Sequence, residues 1–160
     1  MDSMKELSNE EIGRYSRHIA LPEVGLKGQE KLKSSSVLVI GAGGLGSPVL
    51  QYLAAAGIGR LGIVDGDVVD RSNLQRQVIH GMKTLDAKKV DSAKAFIENL
   101  NPNCTVETHS CLLTKDNCID LFEKYDVICD GSDNFQTRYL SNDACILTQK
   151  PYIYGSILRF

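Results

Sequence analysis

The stretch VLVIGAGGLGSPVL, Val37 to Leu50, constrains the fold more than any other part of the chain. Its first residues form an uninterrupted apolar run rich in β-branched side chains. Such a run reads as a strand buried on both faces, as in a parallel sheet. After the glycines, Leu45, Val49, Leu53 and Ala56 recur at helical spacing, so a helix is expected from about Leu45 to Ala56. Pro48 is tolerated because it falls in the first turn, and Gly57 and Gly59 end the helix. Between strand and helix, Gly41, Gly43 and Gly46 satisfy G-x-G-x-x-G. Gly41 permits the tight turn, Gly43 removes a side chain that would block a phosphate, and Gly46 lets helix and strand pack closely. Amides at the helix start then attract phosphate oxygens. The setting predicts a bound nucleotide; a glycine-rich turn used only for packing is the alternative.

The rest of the chain repeats the alternation. RLGIVD is a second strand, and AKKVDSAKAFIENL a helix with Val90, Ala93, Ile97 and Leu100 on one face, stopped by Asn101-Pro102. CTVETH is a weaker strand, KDNCIDLFEKY a helix, YDVICD a buried strand, NFQTRYLSNDACILTQ a helix and PYIYGSIL a further strand. The pattern predicts an α/β, Rossmann-like, doubly wound and mostly parallel sheet with helices on both faces. An N-terminal helical segment over residues 1–34 precedes this core, which is expected to occupy 35–160. Ser8 and Glu11 fit a capping box that starts a helix near Asn9. Ile12, Tyr15 and Ile19 would share one face of it, with Arg14, Arg17 and His18 opposite. A second short helix is expected through KGQEKLK, with solvated lysines. The chain stops just after an apolar strand, which suggests that the core is the first part of a longer domain or is completed by another chain.

Composition narrows the function classes. The 160 residues suffice for one domain with a sizeable core. A formal net charge of -2 gives no general attraction to nucleic acid or an anionic membrane, leaving only the option of a local basic patch. No apolar run approaches the roughly 20 residues of a membrane-spanning helix, and the polar N-terminus lacks a signal-peptide core. The five cysteines form no C-x-x-C pair, so reduced cytoplasmic thiols are expected. The histidines His18, His80 and His109 have no metal-ligand spacing, and structural or surface roles are expected for them.

In a parallel sheet, ligands bind outside the carboxyl ends of the strands. The glycine loop, Asp65 at the end of the second strand and the loop DGSDN after Asp130 should therefore face one crevice. Asp65 follows Gly46 by about twenty residues, where an acidic side chain accepts hydrogen bonds from ribose hydroxyls. This suits NAD and ATP equally. Asp67 lies two residues on, as a site residue or an ordinary turn aspartate. Ser72 would cap a short helix in which Asn73 and Arg76 share a face. Arg76 offers a fork of donors suited to phosphate, Lys89 adds a point charge, and Asp133 could hold a hard cation such as Mg²⁺. A dinucleotide needs no metal, whereas a triphosphate under attack needs cations around its leaving group. The residue types therefore favour ATP, although Arg76 and Lys89 would also suit plain surface ion pairs.

The segments RYSRHIALPEVGLKGQEKL, VLVIGAGGLGSPVLQYLAAAGIGRLGIVDGDVVDRSNLQRQ and DGSDNFQTRYLSNDAC resemble the ThiF/MoeB family, relatives of the ubiquitin-activating enzymes. The likeness runs from about Leu7 to Phe160. It implies an ATP-dependent adenylyltransferase that activates the C-terminal Gly-Gly carboxylate of a ubiquitin-like sulfur-carrier protein, for thiamine, molybdopterin or thiolation pathways. It further implies ribose contact at Asp65, phosphate contacts at Asn73, Arg76, Lys89 and the backbone around Gly44, and Mg²⁺ at Asp133. Arg17 would reach the ATP of the other protomer of a homodimer. Gln77 and Arg138 match the motifs without an assigned role. The chain departs from the family at Asp86, where members often carry glycine. The paired C-x-x-C motif for structural zinc and the later catalytic cysteine are absent from these residues. An NAD-dependent oxidoreductase domain and a non-catalytic interaction module stand as alternatives.

Overall fold

The computed structural model describes residues 5–157. The Ser8 hydroxyl accepts from the Glu11 amide, and the Glu11 carboxylate accepts from the Ser8 amide, so α1 (Asn9–Arg14) starts at the expected capping box. Tyr15 leaves helical geometry at φ -99°, ψ 15° and separates α1 from α2 (Ser16–Ile19). That break changes which side chains face inward. Tyr15 and Glu11 are buried, whereas Ile12 is 40% exposed, contrary to the apolar face expected from spacing. His18 also turns inward, stacking on Tyr15 and bonding Gln29 at 3.1 Å, rather than sharing the solvent side with Arg14 and Arg17. α3 (Gly25–Ser34) follows. Lys27 and Lys31 are solvated there as expected, but Lys33 turns back to pair with Glu11 at 2.7 Å.

The core begins at β1 (Ser36–Ile40), buried along its whole length. Then come α4 (Gly46–Ala56), β2 (Arg60–Val64), α5 (Lys89–Leu100), β3 (Thr105–His109), α6 (Cys118–Phe122), β4 (Val127–Asp130), α7 (Phe135–Thr148) and β5 (Tyr152–Tyr154). The strands form one sheet in the order β3-β2-β1-β4-β5, and every pair in it is parallel. Alternate residues of β1 point to opposite faces. Val37 and Val39 join Leu50, Ala54, Val90 and Ile97 under α4 and α5. Leu38 and Ile40 join Phe122, Tyr125, Ile128 and Cys145 under α6 and α7. The sheet is thus covered on both faces, which is why β1 carries no polar side chain after Ser36.

Two helices differ in detail from their sequence patterns. The buried stripe of α4 runs through Ser47, Leu50 and Ala54, while Val49 and Leu53 are only partly buried and Leu45 precedes the helix. Gly46 causes this: a Cβ there would overlap the Gly41 carbonyl, so the helix is pressed against the loop on the Gly46–Ser47 side. α6 is shorter than its eleven-residue pattern because residues 114–117 form a turn, closed by the Thr114 amide donating to Asn117 Oδ1, and the helix starts only at Cys118. β5 likewise pairs over three residues only.

The N-terminal helices pack where the strands begin. Asn101 Nδ2 donates to Tyr15 Oη and to the Ala54 carbonyl, each at 2.8 Å, and Gln29 donates to the Ala56 carbonyl at 2.7 Å. These contacts hold α1–α3 against the loops feeding β2 and β3. The carboxyl ends of the strands stay open. Among the described residues, no helix is long and apolar enough to cross a membrane.

Candidate active site

β1 is flanked by β2 on one side and β4 on the other, so the chain reverses direction of growth beside it. Loops leaving neighbouring strands diverge at such a point and leave a crevice. A crevice of about 600 Å³ opens there, within the range of small-molecule sites. Gly41, Gly43, Gly44, Asp65, Asp67, Arg76, Lys89 and Asp133 all line it. Gly46 is buried beneath the loop and Asn73 does not line the crevice; Arg17, expected to reach a partner's site, does not line this one either.

The floor is the glycine loop. Gly41 has φ +86°, in the left-handed region where glycine is unstrained. The amides of Gly43, Gly44 and Leu45 donate to no protein acceptor among the described residues. A helix start leaves such donors free, and they carry partial positive charge. Asp65 anchors the loop from the side, accepting from the Ala42 amide at 2.8 Å through one oxygen and from the Asp67 amide at 2.8 Å through the other. Each carboxylate oxygen keeps a second lone pair for a ligand hydroxyl.

The cations come from the segment between β2 and α5. Asp70, not Ser72, caps its first turn: the carboxylate accepts from the Ser72 amide at 2.7 Å, and Asn73 Oδ1 accepts from the Asp70 amide at 3.1 Å. Aspartate outcompetes serine here because it sits two residues earlier, just before the helix, with extended backbone, the geometry of a cap. Asn73 therefore serves the turn. That turn places Arg76 over the loop, with its Cδ 3.5 Å from where a Gly44 side chain would begin. Arg76 makes no ion pair among the described residues. Lys89 is only 6% exposed and is held at 2.8 Å by Asp67, which is itself largely solvated.

The opposite wall follows β4. Asp130 accepts from the Ser132 amide at 2.8 Å and from the Tyr152 hydroxyl at 2.6 Å; burial first, then this bond, pushes the Tyr152 phenol far up. Arg138 donates to the Ser132 carbonyl at 3.0 Å and lies over the Phe135 and Tyr154 rings. Both backbone groups of Ser132 are thus held, which presents Asp133 at the crevice rim without a hydrogen-bond partner among the described residues.

Sequence reasoning gave no site role to two buried residues. Gln77 is 4% exposed and lines the crevice, with its Oε1 unpartnered among the described residues. Its place in the run S-N-L-x-R-Q was the available signal. His80, 8% exposed, bonds the Ala42 carbonyl at 2.9 Å. No spacing rule could reveal a contact across 38 residues.

A profile described as ThiF family matches residues 15–160. The chain belongs to the ThiF family. Its relatives include the probable adenylyltransferase/sulfurtransferase MoeZ of Mycobacterium tuberculosis, 58% identical over 96% of this chain and 39% of that protein. The adenylyltransferase and sulfurtransferase MOCS3 of Anopheles gambiae is 52% identical over 96% of this chain and 35% of its own length. This ThiF-family chain therefore spans less than half the length of these curated relatives. The crystal structure of SeMet PaaA matches with a TM-score of 0.84 at 31% identity, over 95% of this chain and 49% of that one. The tRNA N6-threonylcarbamoyladenosine dehydratase TcdA of E. coli, crystallised with ATP, matches at 0.87 over 92% of this chain and 60% of that one; at 24% identity that likeness is one of fold.

Proposed function

We propose that this chain is the nucleotide-binding part of an ATP-dependent adenylyltransferase that activates the Gly-Gly carboxylate of a ubiquitin-like sulfur carrier. The observation that carries the reading is the convergence of loop amides, Arg76 and Lys89 on one wall of the crevice with the Asp133 carboxylate opposite them, the amides and the carboxylate without partners among the described residues. Dinucleotide binding uses the amides but has no need of the two cations or the facing carboxylate. The relatives' names, adenylyltransferase in each case, support the same choice.

The ribose hydroxyls bond Asp65, whose oxygens already face the loop. The triphosphate lies on the Gly43–Leu45 amides, under Arg76 and beside Lys89. The carrier's carboxylate attacks the α-phosphorus, the bond to the bridging oxygen breaks, and pyrophosphate leaves. Two anions must meet for this to happen, so alignment and charge compensation supply the catalysis. Lys89 moves from Asp67 to phosphate, and Arg76 tracks the charge that grows on the leaving group. Asp133 would hold Mg²⁺, which neutralises phosphate charge when bound. No cluster of three or more His, Cys, Asp or Glu side chains suited to a metal occurs among the described residues, which fits an ion held by one carboxylate and the substrate's own phosphates.

In this reading the active protein is a cytoplasmic homodimer, in which Arg17, exposed on α2 and away from its own crevice, serves the partner's site. The free thiols support a reducing compartment; burial pushes those of Cys104 and Cys145 up to about 11, so neither acts as a nucleophile at neutral pH. The test is exchange of labelled pyrophosphate into ATP by the whole protein, with and without a Gly-Gly-tailed carrier. Carrier-dependent exchange is expected, and NADH binding without exchange would overturn the reading.

A further inference from the structure

The Ala42–Gly43 peptide sits at the centre of the glycine loop, and both polar groups of Ala42 are tied. Its amide donates to Asp65 at 2.8 Å, and its carbonyl accepts from His80 Nε2 at 2.9 Å. A carbonyl can only accept, so Nε2 carries the proton of the neutral ring, and Nδ1 is left to accept from a hydroxyl. Ser92 Oγ on α5 lies 2.9 Å from Nδ1 and 2.9 Å from Thr84 Oγ1, which accepts from the Gly81 amide at 3.2 Å and can turn its own proton to Ser92. Burial first, and the nearby Lys89 charge as well, push His80 below its ordinary range and keep it in this neutral form.

The geometry has a direct consequence. In a trans peptide the C=O and the following N–H point in opposite directions. With the Ala42 carbonyl turned down to His80, the Gly43 N–H must point up into the crevice. Gly43 has no side chain to hold the peptide plane, and α4 grips only the next peptide, where the Ser47 amide and hydroxyl donate to the Gly43 carbonyl at 2.9 and 2.6 Å. His80 is the group that does so. Through Ser92 it also links the loop to α5, the helix that carries Lys89.

We propose that His80 is a positioning residue, holding the Gly43 amide toward the nucleotide's phosphates and tying it to the Lys89 helix. This rests on the nucleotide reading above. It goes beyond packing, because a ring of similar size without a donor would fill the same space and leave the Ala42 carbonyl without its partner, held only through the neighbouring peptides that Asp65 and Ser47 bind.

Calorimetric titration of the chain with Mg-ATP and with adenosine tests it. Wild type should bind ATP far more tightly than adenosine. His80→Phe should lose about tenfold in ATP affinity, the worth of one hydrogen bond to a charged group, with adenosine affinity unchanged. His80→Gln, which restores a donor near the carbonyl, should recover most of the loss. Ser92→Ala, which spares the ring but loosens it, should show a smaller loss confined to ATP, and it serves if His80→Phe does not fold. Equal ATP affinity in wild type, His80→Phe and Ser92→Ala would overturn the proposal and leave the nucleotide reading intact. Parallel losses for ATP and adenosine would assign His80 a purely structural role. A wild type with no preference for ATP over adenosine would overturn both.

Discussion

Lys89 Nζ lies 2.8 Å from Asp67 Oδ2, so a nearly buried cation is held by one largely solvated carboxylate. The pair closes the crevice wall, and a phosphate entering it competes with Asp67 for the same ammonium. Asp67→Asn should therefore destabilise the empty protein by about 2 kcal/mol, because it strips a buried charge of its partner. The melting shift produced by saturating Mg-ATP should at the same time be larger than in wild type. Differential scanning calorimetry with and without nucleotide checks both. Lys89→Met should show the reverse, a smaller nucleotide shift.

Gly46 is where helix and loop come closest. Gly46→Ala places a methyl on the Gly41 carbonyl, and neither backbone can yield without moving α4 or the loop. A loss on the order of 3 kcal/mol is expected in urea unfolding. Gly43→Ala, whose added Cβ comes no closer than 3.6 Å to Gln77, should stay within about 0.5 kcal/mol of wild type while weakening ATP binding.

Asp65 acts on the sugar side in this account. Asp65→Asn should cost about tenfold or more in affinity for ATP and much less for inorganic tripolyphosphate, which has no ribose. Equal losses for the two ligands would mean that the carboxylate acts only by bracing Ala42 and Asp67.

The N-terminal helices are fastened by Glu11. Burial alone would raise its carboxyl, but hydrogen bonds from Lys33 and Ser8 outweigh that and hold it below the usual range. A carboxyl lowered on folding contributes stability that is present above its unfolded value and is lost as pH falls through its folded value. Stability should therefore drop as pH falls below the ordinary glutamate range, and Glu11→Gln should flatten that part of the curve. Urea midpoints measured at neutral and acid pH decide this.

The strands were legible because burial on both faces demands unbroken apolar runs, and β1, β2 and β4 have them. The capping box at Ser8 is a local hydrogen-bond pattern, equally visible in the sequence. What escaped depends on tertiary contact. The phase of α4 follows from the approach of Gly46 to Gly41, and the inward turn of His18 from the break at Tyr15. Asp86 is instructive: it adopts φ +64°, the left-handed backbone that glycine takes without strain, at the position where the resemblance led to an expectation of glycine. The turn that delivers Lys89 is kept, with an aspartate accepting its geometry. The glycine loop, Asp65 and the loop carrying Asp133 could be placed at one crevice from topology alone, whereas the roles of His80 and of the brace from Arg138 and Asp130 needed coordinates.

The central claim is that this crevice grips a triphosphate rather than a dinucleotide. Isothermal titration of the protein with ATP and with NAD, magnesium present, tests it most directly, with Arg76→Ala alongside. The account predicts clear preference for ATP in wild type and its loss in Arg76→Ala; equal binding of ATP and NAD, unchanged by that substitution, would contradict it.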